Sequence, residues 1–166
     1  MQTAAAMVQG LGSEAALVVD GDQDYVKAIR AALLEDVSQI DAVTSVSAAV
    51  TRLQGQGYRL VILDNALAGD PTAIDLARAL RRTRPEVAIV MTSSLHLTAT
   101  QVAACFEAGA DEFVRKPFHP QEFAARVRAV TRRVRRSLVH VPSTASPSTL
   151  APVVSAPVER ELRATA

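Results

Sequence analysis

Reactive side chains directly follow four apolar segments of this chain. They are Asp64 after residues 58–63, Asp20 and Asp22 after residues 15–19, Thr92, Ser93 and Ser94 after residues 87–91, and Lys116 and Pro117 after residues 112–115. Carboxylates, a hydroxyl and an ammonium are the groups that hold a divalent cation and a phosphoryl group. The pattern therefore predicts a site that combines metal and phosphate chemistry.

The apolar segments have the length and composition of buried parallel strands, each ending in a polar residue. Five strands are predicted, at residues 15–19, 40–46, 58–64, 87–91 and 111–115. Five helices are predicted between and after them: one capped by Asp22 or Asp24, one over residues 48–53, one beginning at Asp70-Pro71, one over residues 98–108 and one from Pro120 to Leu138. Alternating strands and helices predict an α/β fold with a parallel sheet, whose ligand site lies at the carboxyl ends of the strands.

Length and composition favour one domain with one core. The chain has 166 residues, of which 49% are hydrophobic and 21% charged, and its net charge is +1. Acidic residues concentrate in residues 1–75, around the predicted site. The absence of an apolar run of membrane-spanning length, and of a basic start, predicts a cytoplasmic protein without a membrane segment. Cys105 is the only cysteine, which excludes an internal disulfide, and its helical position predicts a small core residue.

Composition also divides the chain. Residues 1–13 lack periodicity and are predicted to form a flexible leader, and residues 14–138 form the domain. Residues 139–166 are rich in Pro, Ser and Ala, with prolines at every fifth position from Pro142 to Pro157. This segment is predicted to be a disordered tail or linker.

Four stretches of residues 14–138 together resemble the receiver domain of two-component response regulators of the chemotaxis-regulator type. They are Leu17-Val-Val-Asp20-Gly-Asp22, Leu60-Val-Ile-Leu-Asp64, Ile89-Val-Met-Thr92-Ser93 and Ala108-Gly-Ala-Asp-Glu-Phe-Val-Arg-Lys-Pro-Phe118. The last stretch is the most specific of the four. The resemblance implies a three-layer, flavodoxin-like fold with strand order 2-1-3-4-5.

The resemblance also implies a role for each matching residue. Asp64 would be the phosphoacceptor, Lys116 would contact the phosphoryl oxygens, Thr92 would be the switch hydroxyl, and Phe113 would respond to it. Mg²⁺ would be the cofactor, bound by Asp20, Asp64 and the backbone carbonyl of Ala66, and the bond before Pro117 would be cis. The partner would be a histidine kinase or a phosphotransfer protein, and the chain would be a signalling protein rather than an enzyme. Signalling, and a homodimer, would use the face formed by helix 4, strand 5 and helix 5.

The sequence departs from the family pattern at Gly21, at Ala68 and at Pro71-Thr72. Gly21 stands where receivers usually place a second acid that binds Mg²⁺, and Asp22 is the neighbouring candidate for that ligand. Ala68, and then Pro71-Thr72, replace the usual residues of the loop after Asp64. The spacing from Thr92 to Gly109 leaves Ser93 and Ser94 as alternatives for the switch hydroxyl.

Two other functions compete with this one. The loss of a carboxylate at Gly21 favours a pseudo-receiver that binds partners without phosphorylation. The Asp20-Gly-Asp22 sequence also fits haloacid-dehalogenase-like phosphohydrolases, with Asp20 as nucleophile and Asp22 as the acid–base group. Residues 126–136 contain six arginines, which predict a solvated helix face, contact with an acidic protein or self-association. No DNA-reading motif follows them, so sequence-specific DNA binding is not expected.

Overall fold

A five-stranded parallel sheet organises the computed structural model, which describes residues 14–139. The strands are β1 (Ala15–Val19), β2 (Gln39–Val43), β3 (Tyr58–Asp64), β4 (Ala88–Ser93) and β5 (Glu112–Arg115). Their order across the sheet is β2-β1-β3-β4-β5, with every neighbouring pair parallel. The predicted fold class and strand order are confirmed. The predicted leader, and the predicted tail beyond its first residue, lie outside the described residues.

The helices cover both faces of the sheet. They are α1 (Gln23–Ala32), α2 (Val46–Gly55), α3 (Ala73–Thr83), α4 (Ala99–Glu107) and α5 (Pro120–Val139). Successive strand residues point to opposite faces, so Leu17 and Val19 join the core beneath α2, α3 and α4, whereas Ala16 and Val18 join the core beneath α1 and α5. Among residues 14–139, no helix is long and apolar enough to cross a membrane.

Side-chain caps define where the helices begin. The Asp22 carboxylate accepts hydrogen bonds from the backbone N–H groups of Asp24 and Tyr25 and so caps α1. Thr98 caps α4 in a reciprocal capping box with Gln101, as its spacing predicted. These caps satisfy helix N–H groups that would otherwise have no partner.

The predicted start of α3 at Asp70-Pro71 is wrong. The helix begins at Ala73, because Thr72 and Asp75 form the capping box, with the Asp75 N–H donating to Thr72 Oγ1 at 3.2 Å. The Thr72 to Asp75 spacing carries this signal in the sequence. Gly69, with φ of +144°, and Pro71 therefore belong to the loop that joins Asp64 to α3.

Two other predicted boundaries also shift. The strand predicted over residues 40–46 ends at Val43, because Ser45 caps α2 and Val46 is already helical. The strand predicted over residues 87–91 extends to Ser93, so that Thr92 and Ser93 lie within β4 rather than after it. The extension places Thr92 in register with the last residue of β3.

Helix α5 covers its face of the sheet with a continuous apolar stripe. Phe123, Val127, Val130 and Val134 are buried, whereas Leu138, which follows at the same helical spacing, is 42% exposed. Several arginines of this helix bond within the chain rather than only to solvent: Arg128 pairs with Asp36, Arg135 with Glu14, Arg126 with Glu112 and Glu122, and Arg133 donates to the Asp111 carbonyl. Intramolecular pairing therefore accounts for much of the predicted basic face.

Candidate functional site

Three predicted site residues meet at the carboxyl edge of the sheet. Asp64 is the last residue of β3, and Asp20 and Lys116 directly follow β1 and β5. The pairing continues one residue beyond each of these two strands, since the Asp20 N–H donates to Val43 O and the Lys116 N–H donates to Ser93 O. The backbone of the sheet therefore determines where the Asp20 and Lys116 side chains start.

The Lys116 ammonium bridges the two carboxylates. Its Nζ lies 2.6 Å from Asp20 Oδ2 and 3.0 Å from Asp64 Oδ2. The exposed fraction of these side chains is 1% for Lys116, 1% for Asp20 and 8% for Asp64. Two buried carboxylates thus share one cation. Buried charges are costly unless they are paired. One ammonium cannot neutralise two ionised carboxylates, so this cluster can bind a second cation.

Backbone N–H groups hold the other oxygen of each carboxylate. The Asp22 N–H donates to Asp20 Oδ1 at 2.9 Å, and the Ala66 N–H donates to Asp64 Oδ1 at 2.9 Å. In both cases the donor is two residues past the acid, in the loop that leaves the strand. These contacts orient both carboxylates before any ligand binds.

Thr92 lies opposite Asp64 in the pairing of β4 with β3. Its side chain is fully buried, and its Oγ1 is the single buried side-chain polar atom without a hydrogen-bond partner among residues 14–139. The neighbouring hydroxyls differ: Ser93 Oγ accepts from the Leu95 N–H at 3.1 Å, and Ser94 is exposed. An unpartnered buried hydroxyl is unfavourable, so Thr92 Oγ1 is available to a ligand bound at Asp64.

Phe113 and Pro117 occupy the last strand and the turn after it. Phe113 is paired with Met91 across β5 and β4, is half-buried, and packs against the core beneath α2, α3 and α4. The bond between Lys116 and Pro117 is cis. The structure places both residues on the β5 side of the site.

Asp22 and Gly21 lie at the start of the β1–α1 loop. The Asp22 side chain is exposed, and its carboxylate caps α1 by accepting from the N–H groups of Asp24 and Tyr25. Among residues 14–139, no cluster of three acidic, histidine or cysteine side chains could hold a metal ion. A Cβ added at Gly21 would lie 3.5 Å from Leu67 Cδ2, in ordinary contact with the loop that follows Asp64. Position 21 therefore faces this loop.

Tyr25 contacts the candidate site, although no sequence motif identifies it. Its ring centroid lies 4.4 Å from Lys116 Nζ. The two residues are 91 positions apart, and the helical pattern of α1 marks Tyr25 only as a residue of the first turn. Nothing in the local sequence links it to Lys116.

The clearest pKa perturbations lie away from this cluster, at the opposite edge of the sheet. Burial, together with a hydrogen bond to Asp41, raises the pKa of Tyr58 to about 12. The same hydrogen bond lowers the pKa of Asp41 below its usual value. Tyr58 begins β3 and Asp64 ends it, so this pair supports the strand from its amino end.

Comparisons with known proteins found related sequences and a related fold. Residues 16–128 match the model of the response regulator receiver domain. The chain is 35% identical over 117 residues to the regulatory protein VanRB of Enterococcus faecalis, covering 70% of this chain and 52% of that protein. It is 31% identical over 117 residues to the transcriptional regulatory protein TcrA of Mycobacterium tuberculosis, covering 70% of this chain and 46% of that protein.

A solved structure extends the similarity to the fold. The BeF3-activated receiver domain of DrrB, a protein of Thermotoga maritima, superimposes with a TM-score of 0.63 at 27% identity, covering 74% of this chain and 97% of that domain. The present chain spans about half the length of the curated relatives that it matches.

Proposed function

Because this chain belongs to the response regulator receiver domain family of two-component systems, we propose that Asp64 accepts a phosphoryl group. The observation that carries this proposal is the environment of the Asp64 carboxylate. One oxygen accepts from the Ala66 N–H, the other from Lys116, and the unpartnered Thr92 hydroxyl lies on the adjacent strand. Phosphoryl transfer uses an oxygen nucleophile in line with the leaving group, together with cationic and hydrogen-bonding groups that hold the phosphoryl oxygens.

The transfer forms one bond and breaks one. A carboxylate oxygen of Asp64 forms a bond to phosphorus, and the bond from phosphorus to the donor atom breaks, leaving its electron pair on the donor. With a histidine kinase or a phosphotransfer protein as partner, the donor atom is an imidazole nitrogen. The product is an acyl phosphate on Asp64, whose oxygens face Lys116 and the Thr92 hydroxyl.

The donor set fits Mg²⁺, with fewer protein ligands than the family usually supplies. Mg²⁺ sites use one or two carboxylates together with phosphate oxygens and water, and Asp20 and Asp64 supply two carboxylates. The carbonyl of Ala66 would be the third protein ligand. When bound, the cation neutralises negative charge on the transferring phosphoryl group. Asp22 is engaged as the cap of α1, so it is assigned no part in this set.

Thr92 is proposed as the switch hydroxyl in preference to Ser93 and Ser94. A phosphoryl group on Asp64 would give Thr92 Oγ1 its first hydrogen-bond partner, whereas Ser93 Oγ already has one. Movement of Thr92 would be transmitted to the α4–β5–α5 face through Phe113, which packs on β4 beside Met91. Phe106 on α4, 44% exposed, would provide apolar surface on that face for a partner or a second copy.

A pseudo-receiver is the second candidate. Gly21 carries no carboxylate, and the Asp22 carboxylate caps α1. Only Asp20 and Asp64 then remain as carboxylate ligands for a metal, and Lys116 already bridges both of them. Weak metal binding would favour this candidate. The phosphohydrolase alternative loses support from the same observation, since Asp22 contacts helix N–H groups rather than facing Asp20 as an acid–base group would.

Phosphorylation tests the first candidate against the second. The protein is incubated with acetyl phosphate and Mg²⁺, or with beryllofluoride and Mg²⁺, and the adduct is followed by intact mass and by NMR. An adduct that is absent in Asp64→Asn and retained in Asp22→Asn supports the proposal. Absence of any adduct, or an adduct that survives Asp64→Asn, contradicts it. Asp22→Asn is the matched control because asparagine caps helices as well as aspartate does.

A further inference from the structure

The Lys116 ammonium contacts an aromatic ring as well as two carboxylates. Tyr25, in the first turn of α1, places its ring centroid 4.4 Å from Lys116 Nζ, within the range of a cation–π interaction. The ammonium is buried, so little water competes for this contact. Tyr25 is therefore a third partner that stabilises Lys116 in its bridging position.

The Tyr25 ring is itself held in place. Its ring centroid lies 5.6 Å from that of Phe118, and Phe118 stacks at 4.4 Å on Phe123, which is fully buried in the core beneath α1 and α5. At the backbone, the Tyr25 N–H donates to the Asp22 carboxylate at 3.4 Å. The helix cap and the aromatic stack together leave the ring face directed at Lys116.

We propose that Tyr25 is a positioning residue that holds Lys116 across the Asp20–Asp64 pair and thereby weakens Mg²⁺ binding. The proposal rests on the function proposed above, in which Mg²⁺ uses these same two carboxylates. A cation that takes oxygens of Asp20 and Asp64 must compete with the ammonium for them. Every contact that stabilises the bridging ammonium therefore raises the free energy required for the metal to bind, and the Tyr25 ring provides such a contact.

Fluorination of the ring tests this role without changing its shape. Position 25 is occupied in turn by phenylalanine, monofluorinated and trifluorinated phenylalanine, since fluorine progressively withdraws electron density from the ring face that attracts the cation. The dissociation constant for Mg²⁺ is measured by NMR titration with MgCl₂. Binding should tighten stepwise along the series, reaching about five- to thirty-fold when the cation–π attraction is lost. Tyr25→Phe, which keeps the ring face, should bind Mg²⁺ as the wild type does.

A double-mutant cycle isolates the ammonium. In a Lys116→Met background no cation faces the ring, so the same fluorinated series should leave the Mg²⁺ affinity unchanged. An equal dependence on fluorination with and without the ammonium would overturn the proposal, because the ring would then act through general packing. A constant affinity across the series in the wild-type background would also overturn it.

A metal-free measurement separates this proposal from the proposed function. Lysine occurs twice in the chain, and Lys27 is exposed and pairs with Asp24, so it serves as an internal reference. The mobility of the Lys116 ε-methylene, measured by NMR relaxation, should increase with ring fluorination while that of Lys27 stays constant. If no variant binds Mg²⁺, the metal-dependent function is wrong and this mobility decides the positioning role: an increase supports it, and no change overturns it.

Discussion

Thr92 stands directly opposite Asp64 in the sheet, and its hydroxyl, fully buried, has no hydrogen-bond partner in the described part of the chain. A buried hydroxyl without a partner is retained at a cost in stability. The Thr92 hydroxyl therefore lies beside Asp64 without a hydrogen bond to any residue that the structure describes. The proposed acyl phosphate on Asp64 would provide the missing partner.

Replacing Thr92 with valine should separate stability from switching. Thr92→Val removes the unpartnered hydroxyl while keeping the branched shape, so the free energy of unfolding of the unphosphorylated protein should rise by about 1 kcal/mol. The same variant should lose the changes that beryllofluoride produces in the NMR signals of α4, β5 and α5. Thr92→Ser, which keeps the hydroxyl, should retain these changes. A loss of stability in Thr92→Val would indicate that the hydroxyl has a partner in solution.

Removing the bridging cation should destabilise the protein in a manner that Mg²⁺ reverses. Lys116→Met leaves the buried Asp20 and Asp64 carboxylates without a positive partner, and we expect a loss of about 3 kcal/mol in the free energy of unfolding by urea at neutral pH. Saturating Mg²⁺ should restore more stability to this variant than to the wild type, because the metal supplies the missing charge. Lys27→Met, at an exposed surface pair, is the control and should change stability little.

Adding the missing carboxylate should strengthen metal binding. Gly21→Asp places an acid where a side chain extends toward the loop after Asp64, with its Cβ in ordinary van der Waals contact with Leu67 Cδ2 at 3.5 Å. Without metal the variant should be less stable than the wild type, through repulsion from Asp20 and Asp64. With Mg²⁺ it should be more stable, with an affinity on the order of tenfold higher, and phosphorylation should be faster.

Thermal melts of Gly21→Asp and wild type, each with EDTA and with Mg²⁺, measure this reversal. Gly21→Asn is the matched control, since it adds the same bulk without the charge and should show no repulsion. If Gly21→Asp gains no more from Mg²⁺ than the wild type does, position 21 does not reach the metal.

Replacing Tyr58 should change the response of the protein to alkaline pH. Burial and the Asp41 hydrogen bond raise the folded-state pKa of Tyr58 from 10.0 to about 12. The contribution of protonated Tyr58 to the free energy of unfolding is therefore fully present below pH 10, and it is lost as the pH rises toward 12. This loss amounts to about 2–3 kcal/mol. Tyr58→Phe cannot ionise, so it should lose less stability than the wild type between pH 10 and 12, as measured by urea unfolding.

The sequence alone determined the framework and pointed to the principal residues of the candidate site. The apolar run ending at Asp64 predicted a buried strand that delivers a carboxylate to the ligand edge, and the Thr98 to Gln101 spacing predicted the start of α4. Both signals are local, because strand burial and helix capping depend on residues within a few positions of each other. For the same reason the start of α3 was encoded in Thr72 and Asp75, although Asp70-Pro71 suggested an earlier one.

Only the tertiary structure decided which side chains meet. Thr92 is distinguished from Ser93 and Ser94 by the register of β4 on β3. The sequence offered both Asp22 and Asp24 as the cap of α1, and the hydrogen bonds of the structure select Asp22. The contact of Tyr25 with Lys116 joins residues 91 positions apart. Such contacts depend on how the strands pair and how the helices pack on them. The packing is set by the apolar surface that the whole core buries, against the entropy that the chain loses, so no short stretch of sequence determines it.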